Sequence, residues 1–351
     1  MGKTETKNIR NITVTGHNGC GKTILIESIL YTAGQIPRLG TIEDGNTTTD
    51  FEPEEIKRQS SISAALAPCF YKNHKINLID TPGYSDFIGE VVSALNITDT
   101  LLMVIDGTSG VQVQTDKIWS YVTAGTPKGF FINKLDKENS DFFSSLNSII
   151  SFFGKNTAVM QIPIGKDSSF KGFVDLLTMK AFLFTDGKSK EEEIPADLSD
   201  TASKYREMLI ESVAETSDDL LEKYLEKGEL SQDEIEKGLK IGFSNGSLFP
   251  IFCGSAKNLI GISSILDLFL SVFPSPSDLE EKKGINPKNG EEVARKPDSQ
   301  DPASAFVFKT LTDPYVGKLN YVRVFSGHIK KDSHLLNSTK NIKERIGHIL
   351  L

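Results

Sequence analysis

The stretch Gly16-His17-Asn18-Gly19-Cys20-Gly21-Lys22-Thr23 combines glycines, one amine and one hydroxyl in the order a phosphate-holding loop requires. Its glycines let successive backbone N–H groups turn toward one anion, at the start of a helix whose dipole favours negative charge. Lys22 has the reach to contact outer phosphates, and the Thr23 hydroxyl suits a magnesium ion. Such a loop needs a strand before it and a helix after it. Ile12, Thr13, Val14 and Thr15 supply a β-branched run into Gly16, and Ile26, Ile29, Leu30 and Ala33 recur at helical spacing before Gly34.

Three more motifs follow in order. Ile76-Asn77-Leu78-Ile79 reads as a short apolar strand that ends in Asp80-Thr81-Pro82-Gly83. Beside a nucleotide, Asp80 would hold Mg2+ through water, and the Gly83 N–H would meet the terminal phosphate. Alone, these four residues are an ordinary turn; their place after a buried strand favours the chemical reading. Phe130-Phe131-Ile132 then leads into Asn133-Lys134-Leu135-Asp136. An ionised carboxylate at position 136 can accept two hydrogen bonds side by side, and guanine offers a ring N–H beside an exocyclic amine. Adenine offers no such pair, and the charged acceptor left unpaired costs about 1.5–3 kcal/mol. Lys134 can lie along the base, and Asn133 can tie this loop to the phosphate loop. Ile251-Phe252-Cys253 precedes Gly254-Ser255-Ala256, where Ser255 and Ala256 would offer backbone N–H groups to the guanine carbonyl. The four motifs together name GTP or GDP, with Mg2+, as ligand.

These residues need a scaffold, and the pattern supplies one. Strands near 60–71, 76–80, 100–105 and 128–132 alternate with helices near 86–97 and 114–124. That is a doubly wound, mostly parallel α/β domain. Residues 1–165 form its first part and 248–279 its last part, so 166–247 is an inserted α+β subdomain. The insertion opens on β-like Phe173-Val174-Asp175-Leu176 and Ala181-Phe182-Leu183-Phe184, then turns to acidic helices. Tyr205, Met208, Leu209 and Val213 form one apolar stripe, and Ser231 with Glu234 a capping box. Its acidic faces read first as solvated surface and second as a docking face.

Residues 280–301 read as a polar linker with Pro287, Gly290 and Pro297. From 302 to 351, Ala305–Leu311, Tyr321–Phe325 and His334–Leu336 alternate as the opening strands of an all-β barrel. A barrel that stops within the apolar run Ile349-Leu350-Leu351 leaves an open edge, so the expectation is a truncated fragment.

Composition sets limits. The 351 residues are 38% hydrophobic and 25% charged, enough for two or three domains with cores. A net charge of −8 argues against nonspecific nucleic-acid binding through phosphate neutralisation, and DNA is not an expected partner. Cys20, Cys69 and Cys253 lack metal spacing and read as reduced thiols of a cytoplasmic protein. No run is long and apolar enough for a membrane span, and no signal or transit peptide is evident, so no membrane partner is expected.

The motif order, the insertion, and the run Thr312-Asp313-Pro314-Tyr315-Val316-Gly317-Lys318-Leu319 with Tyr321-Val322-Arg323-Val324-Phe325-Ser326-Gly327 resemble bacterial elongation factor G over essentially the whole chain. Asp50-Phe51-Glu52-Pro53-Glu54-Glu55-Ile56-Lys57-Arg58 looks like the second, elongation factor G-like paralogue group. The resemblance implies a P-loop GTPase acting on the ribosome in translocation, with ribosomal RNA and stalk proteins as partners. It implies a protein about twice this length, with further domains after the barrel; the fragment itself is expected to be monomeric. A ribosome-protection or release-type GTPase would share the same first domain. So would a GTP-dependent ribosome-binding factor with slow or dispensable hydrolysis.

The chain departs from that family at three positions. Where the family carries Arg-Gly-Ile-Thr-Ile, this sequence reads Arg58-Gln59-Ser60-Ser61-Ile62. Ser61 thus stands where a threonine hydroxyl caps Mg2+, unless it merely starts the next strand, and serine lacks the stiffening methyl. Gly19 replaces an aspartate that can help hold a monovalent cation. Tyr84 replaces the histidine that orients the attacking water, and the five histidines, His17, His74, His328, His334 and His348, leave no neighbouring substitute. A phenol of pKa near 10 is a poor base at neutral pH, but phosphoryl transfer depends mainly on positioning and charge. The expected catalytic set is Lys22, Gly83 and Tyr84, with hydrolysis slow or dependent on the ribosome; a surface aromatic without a role is the other reading of Tyr84.

Overall fold

The computed structural model describes residues 4–287, 289–313 and 317–350. They divide into two compact units, Asn8–Pro274 and a second built from the first residues with Ser275 onward. In the first unit the strands are β1 (Ile9–Gly16), β2 (Ala65–Tyr71), β3 (His74–Asp80), β4 (Thr100–Asp106), β5 (Lys128–Asn133) and β6 (Thr157–Val159). A second sheet follows with β7 (Gln161–Ile164), β8 (Gly172–Asp175), β9 (Lys180–Thr185) and β10 (Lys188–Glu192), and then β11 (Phe249–Cys253) returns to the first.

The large sheet runs β2-β3-β1-β4-β5-β11-β6, and only the edge pair β2–β3 is antiparallel. Strands β4, β5 and β11 are buried nearly end to end, as expected for parallel strands covered on both faces. The helices that follow in this part of the chain are α1 (Lys22–Thr32), the short and mostly exposed α2 (Pro53–Arg58), α3 (Ile88–Leu95), α4 (Val113–Tyr121) and α5 (Phe142–Phe153). The insertion adds α6 (Ser199–Ala214), α7 (Asp218–Lys227) and α8 (Gln232–Ser244), and α9 (Ile262–Ser271) closes the unit. Leu25, Ile26, Ile29 and Leu30 put the buried side of α1 into the core. The sole tryptophan, Trp119 on α4, packs 4.4 Å from the Phe153 ring, stacks at 6.0 Å on Phe130 and meets Phe249 edge-on at 5.4 Å.

The α/β architecture matches the expectation; several boundaries do not. β2 starts at Ala65, not near 60, because Ser61 and its neighbours are engaged elsewhere. The four-stranded sheet starts at Gln161, ahead of the expected 166. β10 reads Lys-Ser-Lys-Glu-Glu, an exposed polar edge without apolar alternation, so the pattern gave no sign of it. On α6, Leu209 and Val213 are buried with Ala202, whereas Met208 is exposed and leaves the expected stripe.

In the second unit the expected linker contains a hairpin, β12 (Lys282–Ile285) with β13 (Glu292–Arg295). Its turn closes by Asn286 and Glu291 backbone pairing, and its exposed charged strands carry no apolar signature. β14 (Ser304–Asp313) pairs with β15 (Gly317–Ser326), and β16 (His334–Asn337) with β17 (Ile342–Arg345). These are separate two-stranded antiparallel sheets among the described residues. Pro314, Tyr315 and Val316 of the family-like run, and Leu351, lie outside the described residues.

Phe130 is fully buried between Trp119 and Phe153. Phe130→Ala should therefore lower stability by about 3–5 kcal/mol in urea unfolding followed by Trp119 fluorescence. A loss below about 1 kcal/mol would show that this aromatic cluster is not the core of the unit.

Candidate functional site

The candidate residues lie where β1, β3, β4, β5 and β11 end, along the carboxyl edge of the parallel sheet. That edge is where open α/β sheets bind ligands. The loop from Gly16 to Gly21 leaves β1 and delivers Lys22 and Thr23 as the first residues of α1. Gly21, the N-cap, has φ 96°, and an added Cβ would stand 2.4 Å from Asn133 Nδ2. Only glycine allows both that backbone and that approach. The buried Lys22 ammonium donates to the carbonyls of Gly16 (3.1 Å) and His17 (2.9 Å). Gly83 packs against it, since a Cβ there would lie 2.6 Å from Lys22 Nζ and 2.6 Å from Asn18 Cα. Gly83 and Lys22 thus share one small space beside the loop. Burial, then the Lys22 charge, holds the His17 imidazole below its ordinary pKa.

Thr23 Oγ1 donates to Asp80 Oδ2 at 2.8 Å and lies 3.2 Å from Ser61 Oγ. Ser61 is buried, outside any strand, and so joins the predicted cluster. Thr49 Oγ1 also donates to Asp80 Oδ2, at 2.7 Å. Burial pushes the Asp80 carboxyl above its usual range, against the pull of Thr49, Lys22, Thr23 and the Thr81 amide. Asp50 is pushed up to about 6, mainly by burial and further by Asp80 and Glu55, while a hydrogen bond from Ser61 favours its ionised form.

One oxygen of each carboxylate, Asp80 Oδ1 and Asp50 Oδ1, is buried without a hydrogen-bond partner among the described residues. Such acceptors cost about 1–3 kcal/mol each unless something completes them. No cluster of three or more His, Cys, Asp or Glu forms a metal cage among the described residues. A magnesium ion fits this setting, because it takes few protein oxygens and fills its shell with water and phosphate. Thr23, Ser61 and Asp80 are the residues that would hold it, and it would supply positive charge to phosphate oxygens.

The third motif lies beside the loop. Asn133 Nδ2 donates to the Cys20 carbonyl (3.0 Å), and Asn133 Oδ1 accepts from the Ala256 amide (2.9 Å). One side chain therefore ties both flanking loops. Lys134, at φ 64°, donates to the Gly19 carbonyl and to Asp106 Oδ2 (2.8 Å). Asp106 sits below the normal carboxylate range: burial opposes ionisation, but the Lys134 bond and the Thr108 donors outweigh it. Asp136 Oδ2 accepts from Asn258 Nδ2 (3.1 Å), and Ser255 is fully buried in the turn that carries Ala256 and Asn258. Ser28 of α1 donates to the Ala256 carbonyl at 2.8 Å, locking that turn to the helix behind the phosphate loop.

The predicted loop, metal-side and base-side residues thus converge. Tyr84 follows Gly83 directly but its side chain is 48% exposed, at the rim. Sequence reasoning missed Thr49, Asp106 and Asn258, and also Glu27, which accepts from the Gly40 and Thr48 amides. Asp106 alone carried a signal, a lone carboxylate ending an apolar strand; the others sit among polar loops or on a helix.

A phosphate loop, a metal-side aspartate and an Asn-Lys-x-Asp corner on one sheet edge define a P-loop nucleotide-binding domain. Residues 7–275 match the family described as the elongation factor Tu GTP binding domain. The chain belongs to that family. It is 42% identical to elongation factor G of Thermotoga petrophila and 41% identical to that of Thermotoga maritima, each over 97% of this chain and 50% of the relative. A crystal structure from Thermus thermophilus superposes with a TM-score of 0.85 at 31% identity, covering 97% of this chain and 49% of that one. The chain spans about half the length of the curated relatives it matches.

Gly21→Ala forces a side chain into φ 96° and onto Asn133, so nucleotide affinity should fall at least about a hundredfold in equilibrium titration, roughly the effect of two lost charge-assisted hydrogen bonds. Wild-type affinity in that variant would mean the Gly21–Asn133 approach is not part of the site.

Proposed function

We propose that this chain binds GTP and GDP with Mg2+, hydrolyses GTP, and is the nucleotide-binding part of a translation factor that acts on the ribosome in translocation. In this reading the backbone of residues 16–23 and Lys22 hold the phosphates, and Gly83 contacts the terminal one. Thr23 and Ser61 ligate the metal, and Asp80 holds it through water. Asp136 reads the guanine donors, Lys134 covers the base, and Ser255 and Ala256 present N–H groups to its carbonyl. Ribosomal RNA and stalk proteins are the partners of the full-length protein, and the Asp50–Arg58 stretch favours the second paralogue group.

The observation that carries the reading is the double tie made by Asn133. It holds the phosphate loop and the Ser255–Ala256 turn to the loop that carries Asp136, which supports a ligand with phosphates at one end and guanine at the other. Base choice then rests on Asp136, whose Oδ2 already accepts an amide N–H from Asn258. Titration of GTP, GDP and ATP into the wild type should show ATP weaker by at least about a hundredfold, and Asp136→Asn should erase most of the guanine preference. Comparable ATP binding by the wild type would contradict the proposed role of Asp136.

A second reading, a GTP-dependent ribosome-binding factor for which hydrolysis is dispensable, draws support from the exposed Tyr84. We assign the Tyr84 hydroxyl the positioning of the attacking water. Single-turnover hydrolysis by the full-length protein with ribosomes should then slow about tenfold in Tyr84→Phe, and an unchanged rate would remove the water-positioning role; full function with a non-hydrolysable GTP analogue would favour the second reading.

A further inference from the structure

The segment from Gly40 to Ser61 reaches the metal side of the site at Thr49–Asp50 and again at Ser61, and Thr49 has so far been given no role. The Thr49 hydroxyl donates to Asp80 Oδ2 at 2.7 Å, and the residue is 3% exposed. Asp80 Oδ2 accepts the Thr23 hydroxyl as well, at 2.8 Å. Both hydroxyls therefore crowd one oxygen of the carboxylate and leave Oδ1 buried without a partner among the described residues. A carboxylate free to rotate would share its donors between both oxygens; here two donors fix its plane and its direction.

The residue before Thr49 is fixed independently. Glu27, buried on α1, accepts from the Gly40 amide at 3.1 Å through Oε1 and from the Thr48 amide at 2.8 Å through Oε2. Glu27 lies one helical turn after Thr23, so the helix that presents Thr23 also sets where Thr49 arrives. At the far end, buried Glu55 accepts from the Ile62 and Ser63 amides, which fixes the chain next to Ser61. Two buried carboxylates thus pin the segment at its two points of entry.

We propose that Thr49 is a positioning residue for the magnesium site: it holds Asp80 so that Oδ1 faces the metal-bound water, and so couples closure of the 40–61 segment to magnesium affinity. This inference rests on the proposed magnesium–nucleotide reading of the site. Thr49 touches neither phosphate nor base in this scheme. Its effect is confined to the metal, which separates it from Lys22 and Asp136.

The test is the release rate of a fluorescent non-hydrolysable GTP analogue, measured against free Mg2+ and in EDTA, for wild type, Thr49→Val and Thr49→Ser. Valine keeps the shape and removes the donor, so the Mg2+ concentration for half-maximal retention should rise about tenfold. Serine keeps the donor and should restore it to within about twofold. The difference between wild type and Thr49→Val should vanish in EDTA, and thermal melts without nucleotide establish that the variant is folded. A Thr49→Val midpoint equal to wild type overturns the proposal, as does an equal loss with and without Mg2+, which makes Thr49 a plain structural clamp. If the wild type itself shows no Mg2+ dependence, the magnesium reading of the site fails instead.

Discussion

The site is organised by charge withdrawn from water and only partly compensated. Lys22, Asp50 and Asp80 are all buried in one neighbourhood. Removing a charge from water costs several kcal/mol unless partners replace the lost hydration. Backbone carbonyls satisfy Lys22, and hydroxyls satisfy one side of Asp80, yet an oxygen on each carboxylate stays unmatched. The fold therefore holds unsatisfied polar groups at the end of an otherwise well-packed sheet. Both unmatched groups are carboxylate oxygens, so a cation or a hydrogen-bond donor is what completes them.

Everything around the cluster serves to keep those groups at fixed separations. The parallel strands deliver their carboxyl ends to one line, and short side-chain ties close the loops between them. Asn133 joins the loops after β1, β5 and β11; Lys134 joins Gly19 to Asp106; Ser28 fastens the last loop to α1. Each tie is a hydrogen bond with modest net energy, about 0.5–1.5 kcal/mol, or 1.5–3 where a charge takes part. Their value lies in geometry, because a site preorganised in this way orders few groups when ligand arrives.

The sequence disclosed the parts whose physics is local. Glycine spacing before Lys22, buried strands before Asp80 and Asn133, and the helical period of α1 follow from rules that need only a few neighbouring residues. Ser61 is legible only through the family motif it resembles, and it lies buried with its hydroxyl beside that of Thr23. What escaped depends on chain segments far apart. Thr49 meets Asp80 across 31 positions and Asn258 meets Asp136 across 122, and neither pair carries a pattern of its own. The hairpin β12–β13 and the edge strand β10 escaped for a different reason. Their side chains are charged and solvated, so no apolar alternation betrays the strand, and backbone pairing alone defines it. Helical spacing marks a stripe but not its width, so Met208 falls outside the buried side of α6.

If the unmatched buried charges are the basis of ligand binding, supplying their partners must stabilise the fold. Thermal unfolding followed by Trp119 fluorescence, with and without excess GDP and Mg2+, measures this directly. At about a thousandfold excess over Kd the gain is about 4 kcal/mol, which predicts a melting temperature higher by roughly 8–16 °C, with ADP and Mg2+ giving little change. A melting temperature indifferent to GDP and Mg2+ would contradict the account.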